Sequence, residues 1–163
     1  MLAIIVAIGE KNEIGRKGTM PWQLPKDLQH FKELTLGHDM LMGCRTFESL
    51  PGVLPKRQHI VVSDDPNYRV DHQRVRVSYD LEKELREAQK SDELIFVIGG
   101  GMVYTQALPF ADILYLTLVH ETYPDADTYF PAINWEEWQV EERSEMMTEG
   151  SLAYEFVTLR KKS

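Results

Sequence analysis

The chain has 163 residues, with 18 Lys and Arg against 26 Asp and Glu and a formal net charge of −8. That length suits one domain spanning residues 1–163, large enough to bury about two-thirds of its unfolded surface without a disulfide or metal staple. Hydrophobic residues at 43% and charged residues at 27% exclude a disordered chain, and the acidic balance argues against a nucleic-acid binder, which needs clustered cations.

Leu2–Ile8 reads as a strand buried on both faces, a short apolar run ended by Gly9. It is too short, and too poor in flanking basic residues, for a signal peptide, and no run reaches the ~18 apolar residues of a membrane span. Residues 9 to 23 carry Gly9, Gly15, Gly18 and Pro21 without periodicity, the pattern of a functional loop or lid. A helix follows, with Pro25 in its first turn, Asp27 near its positive dipole end, Leu24, Leu28, Phe31 and Leu34 at helical spacing, and Gly37 closing it. Asp39–Gly43 is the next strand, turning through Gly43-Cys44-Arg45-Thr46 into a short helix that ends near Pro51-Gly52. His59–Ser63 and Arg74–Ser78 read as strands, Leu81, Leu85 and Ala88 mark an amphipathic helix, and Glu93–Ile98 is a buried strand. Gly99-Gly100-Gly101 then opens a helix through Leu108, and strands follow at Ile113–Val119, Trp138–Arg143 and Leu152–Arg160, the last two around a turn at Glu149-Gly150-Ser151. Strands alternating with helices predict an α/β domain with a mostly parallel sheet and an antiparallel C-terminal edge.

Cys44 is the only cysteine, which excludes an intrachain disulfide and a cysteine zinc site and fits a reducing, cytoplasmic setting. The five histidines, His30, His38, His59, His72 and His120, lack metal spacing and read as surface or packing residues, so no metal is expected. Met146-Met147 read as core filler, and Glu136-Glu137 and Glu141-Glu142 as the solvated face of an edge strand. No unusually apolar surface element stands out, so a monomer is the expectation.

Three places have the chemistry of a site. The run from Ile98 through Gly99-Gly100-Gly101 joins a strand to a helix start, where unpaired N–H groups favour phosphate and glycines allow close approach. It is neither a spaced dinucleotide fingerprint nor a Walker loop; a tight turn would explain a lone glycine pair, but three consecutive glycines cost more backbone entropy than a turn requires and point to function. Arg45 and Thr46 at the second helix start offer charge and a hydroxyl to phosphate oxygens, or are an ordinary solvated helix start. Asp27 lies on one face with Phe31 and beside Leu28. There it either points to water and favours the helix dipole, or is buried with a raised pKa and serves acid–base work or an amidine-like cation.

The order of these pieces is more specific than any one of them. The chain resembles dihydrofolate reductase of the bacterial chromosomal type over nearly all its length. The likeness is carried by Ile14-Gly15, Met20-Pro21-Trp22-Gln23-Leu24-Pro25-Lys26-Asp27-Leu28, Phe31-Lys32 and Met42-Gly43 with Arg45-Thr46-Phe47-Glu48-Ser49. Leu54-Pro55 with Arg57, Val97-Ile98-Gly99-Gly100-Gly101 with Tyr104, Tyr115-Leu116-Thr117 and Asp127-Thr128 with Phe130-Pro131 continue it in the same order.

The resemblance implies a three-layer fold with a central twisted sheet of about eight strands and about four flanking helices. It also implies NADPH-dependent reduction of dihydrofolate to tetrahydrofolate, in support of one-carbon metabolism and of thymidylate and purine synthesis, and binding of antifolate-type inhibitors. In it, Asp27 is the pocket carboxylate that accepts hydrogen bonds from the pterin 2-amino group and N3 and favours protonation at N5, with water as proton donor and Thr117 as its support. Ile5, Ala7, Leu28, Phe31, Lys32, Leu50, Leu54 and Ile98 belong to the substrate site, and Arg57 holds the glutamate α-carboxylate. Ile14, Gly15, Met20 and Trp22 belong to the lid over the nicotinamide, with Trp22 counted among the catalytic residues. The cofactor set is completed by Ala7, Gly43, Arg45, Thr46, Ser63, Gly99, Gly100, Gly101, Met102, Val103 and Tyr104, with a cis peptide at Gly99–Gly100.

The chain departs from that pattern at Cys44, Asp64 and Met102, where relatives commonly carry basic or hydroxyl residues near the adenosine end of the cofactor, and at Ala126, where a glycine is frequent. A reductase of the same fold acting on a pyrimidine in riboflavin synthesis, and a non-catalytic nucleotide-binding module, are the competing readings. Asp27 beside Leu28 and Phe31, with Arg57 downstream, favours a pterin-glutamate ligand.

Overall fold

The structure is a computed structural model that describes residues 1–17 and 20–163; Gly18, part of the loop expected after the first strand, lies outside the described residues, as does Thr19. The strands are β1 (Leu2–Ile8), β2 (Glu13–Gly15), β3 (Asp39–Gly43), β4 (His59–Val62), β5 (Val75–Ser78) and β6 (Ile95–Gly99), then β7 (Ile113–Val119), β8 (Thr128–Tyr129), β9 (Trp138–Arg143), β10 (Met147–Glu149) and β11 (Leu152–Lys161). The helices are α1 (Pro25–Thr35), α2 (Cys44–Ser49), α3 (Leu81–Lys90) and α4 (Gly101–Ala107), and a 3₁₀ turn at Leu108–Phe110 continues α4.

The main sheet runs β11-β7-β1-β6-β3-β4-β5. All pairs from β7 to β5 are parallel, and β11 lies antiparallel to β7. Along its outer edge β11 pairs with β10 at Leu152–Tyr154 and with β9 at Val157–Lys161, so nine strands fill eight positions. The expected architecture, with its antiparallel C-terminal edge and four helices, is therefore present.

Period-2 alternation builds the layers. Leu2, Ile4, Val6, Val97, Leu114 and Leu116 face Leu85, Ala88, Val103 and Ala107 of α3 and α4. The opposite parity, Ala3, Ile5, Phe96 and Ile113, packs with Phe31 and Leu34 of α1. Pro25 stands in the first turn of α1, where its missing N–H costs nothing, and Asp80 caps α3 by accepting from the Lys83 amide at 3.1 Å.

The structure corrects several expectations. Residues 9 to 23 are not wholly irregular: β2 pairs with β8 in a separate two-stranded sheet that ties the loop to the 128–130 segment. β10 replaces part of the expected connection before the C-terminal turn, because Met147–Glu149 find free hydrogen-bonding edge on β11. Met147 packs beside Tyr154, but Met146 is exposed, since neighbours along an extended edge point to opposite faces. α2 ends at Ser49, two residues before Pro51.

Ile4 lies at the centre of β1, fully buried between the parallel partners β6 and β7. Ile4→Ala should lower unfolding stability by about 2–5 kcal/mol, read from urea denaturation midpoints, because this rigid site cannot collapse onto the lost volume.

Candidate active site

The parallel strands β1, β6, β3 and β4 all end on one side of the molecule, and the candidate residues gather there. The register Ala7↔Thr117 places Thr117 beside the C-terminal end of β1, and its parity is that of Ile113 and Tyr115, toward α1. The first turn of α1 brings Asp27 against it, and the Thr117 hydroxyl donates to Asp27 Oδ1 at 2.6 Å. Asp27 is thus no solvated dipole-favouring acid. Burial raises its carboxyl above the ordinary aspartate value, against the opposing pull of the Thr117 hydrogen bond and of His30 one turn along the helix. His30 stacks on Phe156 with ring centroids 3.8 Å apart, and Phe156 is the β11 partner of Thr117.

Beyond Asp27 the wall is apolar. Ile5, Phe31 and Ile98 share one packed cluster; Phe31, Leu50, Leu54 and Ile98 share the next with Met40 and Met42. Ala7 packs beside Trp22 and Leu24. Arg57 closes the far end. Its Nε donates to Thr35 Oγ1 at 3.1 Å, one Nη to the Pro55 carbonyl at 2.6 Å and the other to the Lys32 carbonyl at 2.7 Å. A guanidinium has five N–H groups, so two remain on the terminal nitrogens of a nearly buried, fixed fork.

The glycine corner assembles from three elements. The Gly99–Gly100 peptide is cis, as the resemblance implied. Gly99 has φ +138°, which favours glycine, and a Cβ there would stand 3.2 Å from Thr46 Oγ1 of α2. A Cβ on Gly101 would stand 2.7 Å from Thr128 Cγ2, with Ile14 also at hand. Tyr104, on α4, donates its buried hydroxyl to the Ile5 carbonyl at 2.9 Å, and Val103 touches the Gly43 position. Gly43, Thr46, Gly99, Gly100, Gly101, Ile14, Val103 and Tyr104 therefore form one neighbourhood. Ser63, at the end of β4, is buried and accepts from the Asp65 amide at 3.1 Å. Met20, Leu28, Lys32, Arg45 and Met102 are exposed and lie outside the packed clusters. Asp64 is also exposed, at the end of β4.

The anchoring of the loop after β1 is the part sequence reasoning missed. Glu13 is buried, and its carboxylate accepts from the Lys11 and Tyr123 amides, both at 2.6 Å. Tyr123 in turn packs on Trp22, with centroids 5.4 Å apart. A Cβ on Gly9 would stand 2.6 Å from Glu13 Oε1, so Gly9 leaves room for this carboxylate. The available signal was the Gly9–Glu13 spacing, hidden because Glu among Lys11 and Asn12 reads as solvated. Gly15 and Lys17 are held to Asp127: the Asp127 amide donates to the Gly15 carbonyl at 2.9 Å, and the Lys17 amide donates to Asp127 Oδ2 at 2.8 Å.

The sequence profile of the dihydrofolate reductase family matches residues 1–161. Dihydrofolate reductase type 3 of Salmonella typhimurium is 41% identical over 161 residues, 98% of this chain and 97% of its own. The dihydrofolate reductase of Haemophilus influenzae is 43% identical over 139 residues, 85% of this chain and 84% of its own. The solved structure of a dihydrofolate reductase from Enterococcus faecalis, complexed with NADP(H) and RAB-propyl, superposes with a TM-score of 0.85 at 34% identity, covering 100% of this chain and 97% of that one. The profile match and the identities together establish that this chain belongs to the dihydrofolate reductase family.

Proposed function

We propose that the chain reduces 7,8-dihydrofolate to 5,6,7,8-tetrahydrofolate with NADPH, and that Asp27 is its pocket acid. The observation that carries this reading is the Asp27 carboxylate, braced by Thr117 at 2.6 Å and set against the wall of Ile5, Phe31, Leu54 and Ile98. Such a carboxylate suits two parallel N–H donors of an amino-heterocycle edge. Once the rest of that ring lies on the apolar wall, the acid favours a proton on the ring.

The residues present fit the cofactor. Thr46 Oγ1 and the start of α4 converge on the glycine corner, where added side chains would collide, and Trp22 Nε1 is a buried donor with no protein acceptor among the described residues. NADPH, when bound, supplies the hydride. The chain's own work is to orient and to exclude water: Ile14, Gly15, Met20 and Trp22 cover the nicotinamide side, with Trp22 braced by Tyr123. Ala7, Gly43, Arg45, Ser63, Gly99, Gly100, Gly101, Met102, Val103 and Tyr104 complete the cofactor set. Arg57 receives the glutamate carboxylate on its two remaining N–H groups, and Leu28, Lys32 and Leu50 belong to the same arm of the site.

Three outcomes test this reading. Asp27→Asn should retain NADPH binding, measured by fluorescence titration, and lose turnover at neutral pH by at least about a hundredfold. Partial recovery in acid is expected, as substrate arrives already protonated; normal turnover at neutral pH would remove Asp27 from catalysis. Thr117→Val removes a hydrogen bond that holds the Asp27 carboxyl down, so the acidic inflection of kcat/KM should move to higher pH. A profile that superposes on the wild type would show that Thr117 does not tune Asp27. Arg45→Ala should weaken NADPH by about tenfold or more, the scale of a charge-assisted hydrogen bond, and leave NADH nearly untouched. Equal losses would show that Arg45 does not read the 2′-phosphate.

A further inference from the structure

His59 is fully buried at the start of β4, and its ring makes two hydrogen bonds to one turn. The Leu54 amide lies 3.2 Å from Nε2, and Nδ1 lies 3.1 Å from the Arg57 carbonyl. An amide N–H can only donate, so Nε2 is the unprotonated acceptor and Nδ1 carries the hydrogen that the Arg57 carbonyl accepts. One neutral imidazole therefore spans the turn from its first residue to its last. Inside that span, the Pro55 carbonyl accepts from Arg57 Nη, and Lys56 adopts φ +58°, a left-handed conformation that a lysine holds only when its surroundings impose it. Phe47 packs edge-on against the ring at 6.1 Å.

We propose that His59 is a positioning residue for the carboxylate-bearing arm of the substrate. It acts through Leu54 and Arg57, and its need for the neutral Nδ1–H form makes the grip on that arm, and not the chemistry at the ring, sensitive to acid. The inference rests on the reading of Arg57 and Leu54 as substrate contacts given above. The charged groups facing the ring are Arg57 and Arg74, both cationic. Burial lowers the proton affinity of the ring, the Arg57 and Arg74 carbonyls raise it, and the two guanidinium charges lower it again, the net shift being below the ordinary value of 6.5. At neutral pH the ring is neutral and the turn is held. When acid protonates it, Nε2–H meets the Leu54 N–H donor to donor; Nδ1–H still donates to the Arg57 carbonyl, but the span opens at its Leu54 end and the turn that carries Arg57 is held from one side only.

The test measures KM and kcat across pH for dihydrofolate and for a dihydropterin bearing a methyl group in place of the aminobenzoyl-glutamate arm. Asn offers one donor and one acceptor at about the spacing of the imidazole nitrogens but does not titrate. His59→Asn should hold KM for dihydrofolate within about twofold of wild type at neutral pH, and keep it flat on the acid side where the wild-type KM climbs. His59→Leu should raise KM for dihydrofolate about tenfold at neutral pH with kcat little changed, the signature of lost ground-state binding. KM for the armless dihydropterin should be the same in all three proteins at each pH, which cancels any contribution from Asp27.

An acid climb in His59→Asn identical to wild type, or equal KM shifts for the two substrates, would overturn the proposal. Should His59→Leu fail to fold, the comparison of wild type with His59→Asn decides. Arg57→Ala separates the two layers of inference. If it leaves KM for dihydrofolate unchanged, the reading of the arm's subsite and the proposal fall together. If it raises KM while the His59 variants do not, only the proposal falls.

Discussion

A carboxylate set beside an apolar wall is costly unless something fixes and partners it, and here that something is one hydroxyl on the far side of the sequence. The bond between Thr117 and Asp27 joins α1 to β7, and it forms only if two independent structures are in phase. The parallel register of β1 and β7 must place Thr117 beside Ala7, and α1 must start at Pro25, so that Asp27 lies in its first turn. A shift of β7 by one residue would turn Thr117 to the α3–α4 face, and a shift of α1 by one residue would rotate Asp27 by about 100°. The stack of His30 on Phe156, in turn the partner of Thr117, supports the same phase from one helical turn further on.

Elsewhere the site follows a related pattern, in which side chains are committed to nearby backbone and so are held in place before any ligand arrives. Arg57 spends three N–H groups on Thr35, Pro55 and Lys32. Glu13 spends both carboxylate oxygens on the amides of Lys11 and Tyr123. Tyr104 spends its hydroxyl on the Ile5 carbonyl, tying α4 to β1 behind the glycine corner. Each commitment removes conformational freedom from the groups around the site, so that several side chains are held in place at once.

The buried strands β1, β3 and β7 were legible to the residue because each is an apolar run with Gly, Asp or His at or beside its ends, and the β1 and β7 faces follow from parity alone. The glycine triplet pointed to function by its entropic cost alone, but what it holds, and Arg57 altogether, were legible only through the resemblance to a family, since a lone arginine has ordinary explanations. Asp27 stayed open between solvent and pocket because its decisive partner stands 90 residues away, and no local pattern announces it. β2 and β8 were illegible for the same reason: three residues and two, too short for any alternation, paired across more than a hundred positions. His59 read as a surface or packing residue; its burial decides for packing, but its two hydrogen bonds depend on a turn whose shape only the folded chain shows.

The outer side of β11 has a consequence for the protein in bulk. Two short strands, β9 and β10, cover it in sequence, and the pairing with β9 is broken by a bulge between Thr158 and Leu159. The new edge that β9 exposes carries Glu141, Glu142 and Arg143 in solvent, and at the opposite end of the sheet β5 is only four residues long. Neither rim therefore offers a long, flat, apolar template on which a second molecule could add a strand. Of the charges on the β9 rim, Glu141 is already committed to Arg160 and Arg143 to Glu155, so the sheet stops by its own geometry and ion pairs and not by the net charge of the chain.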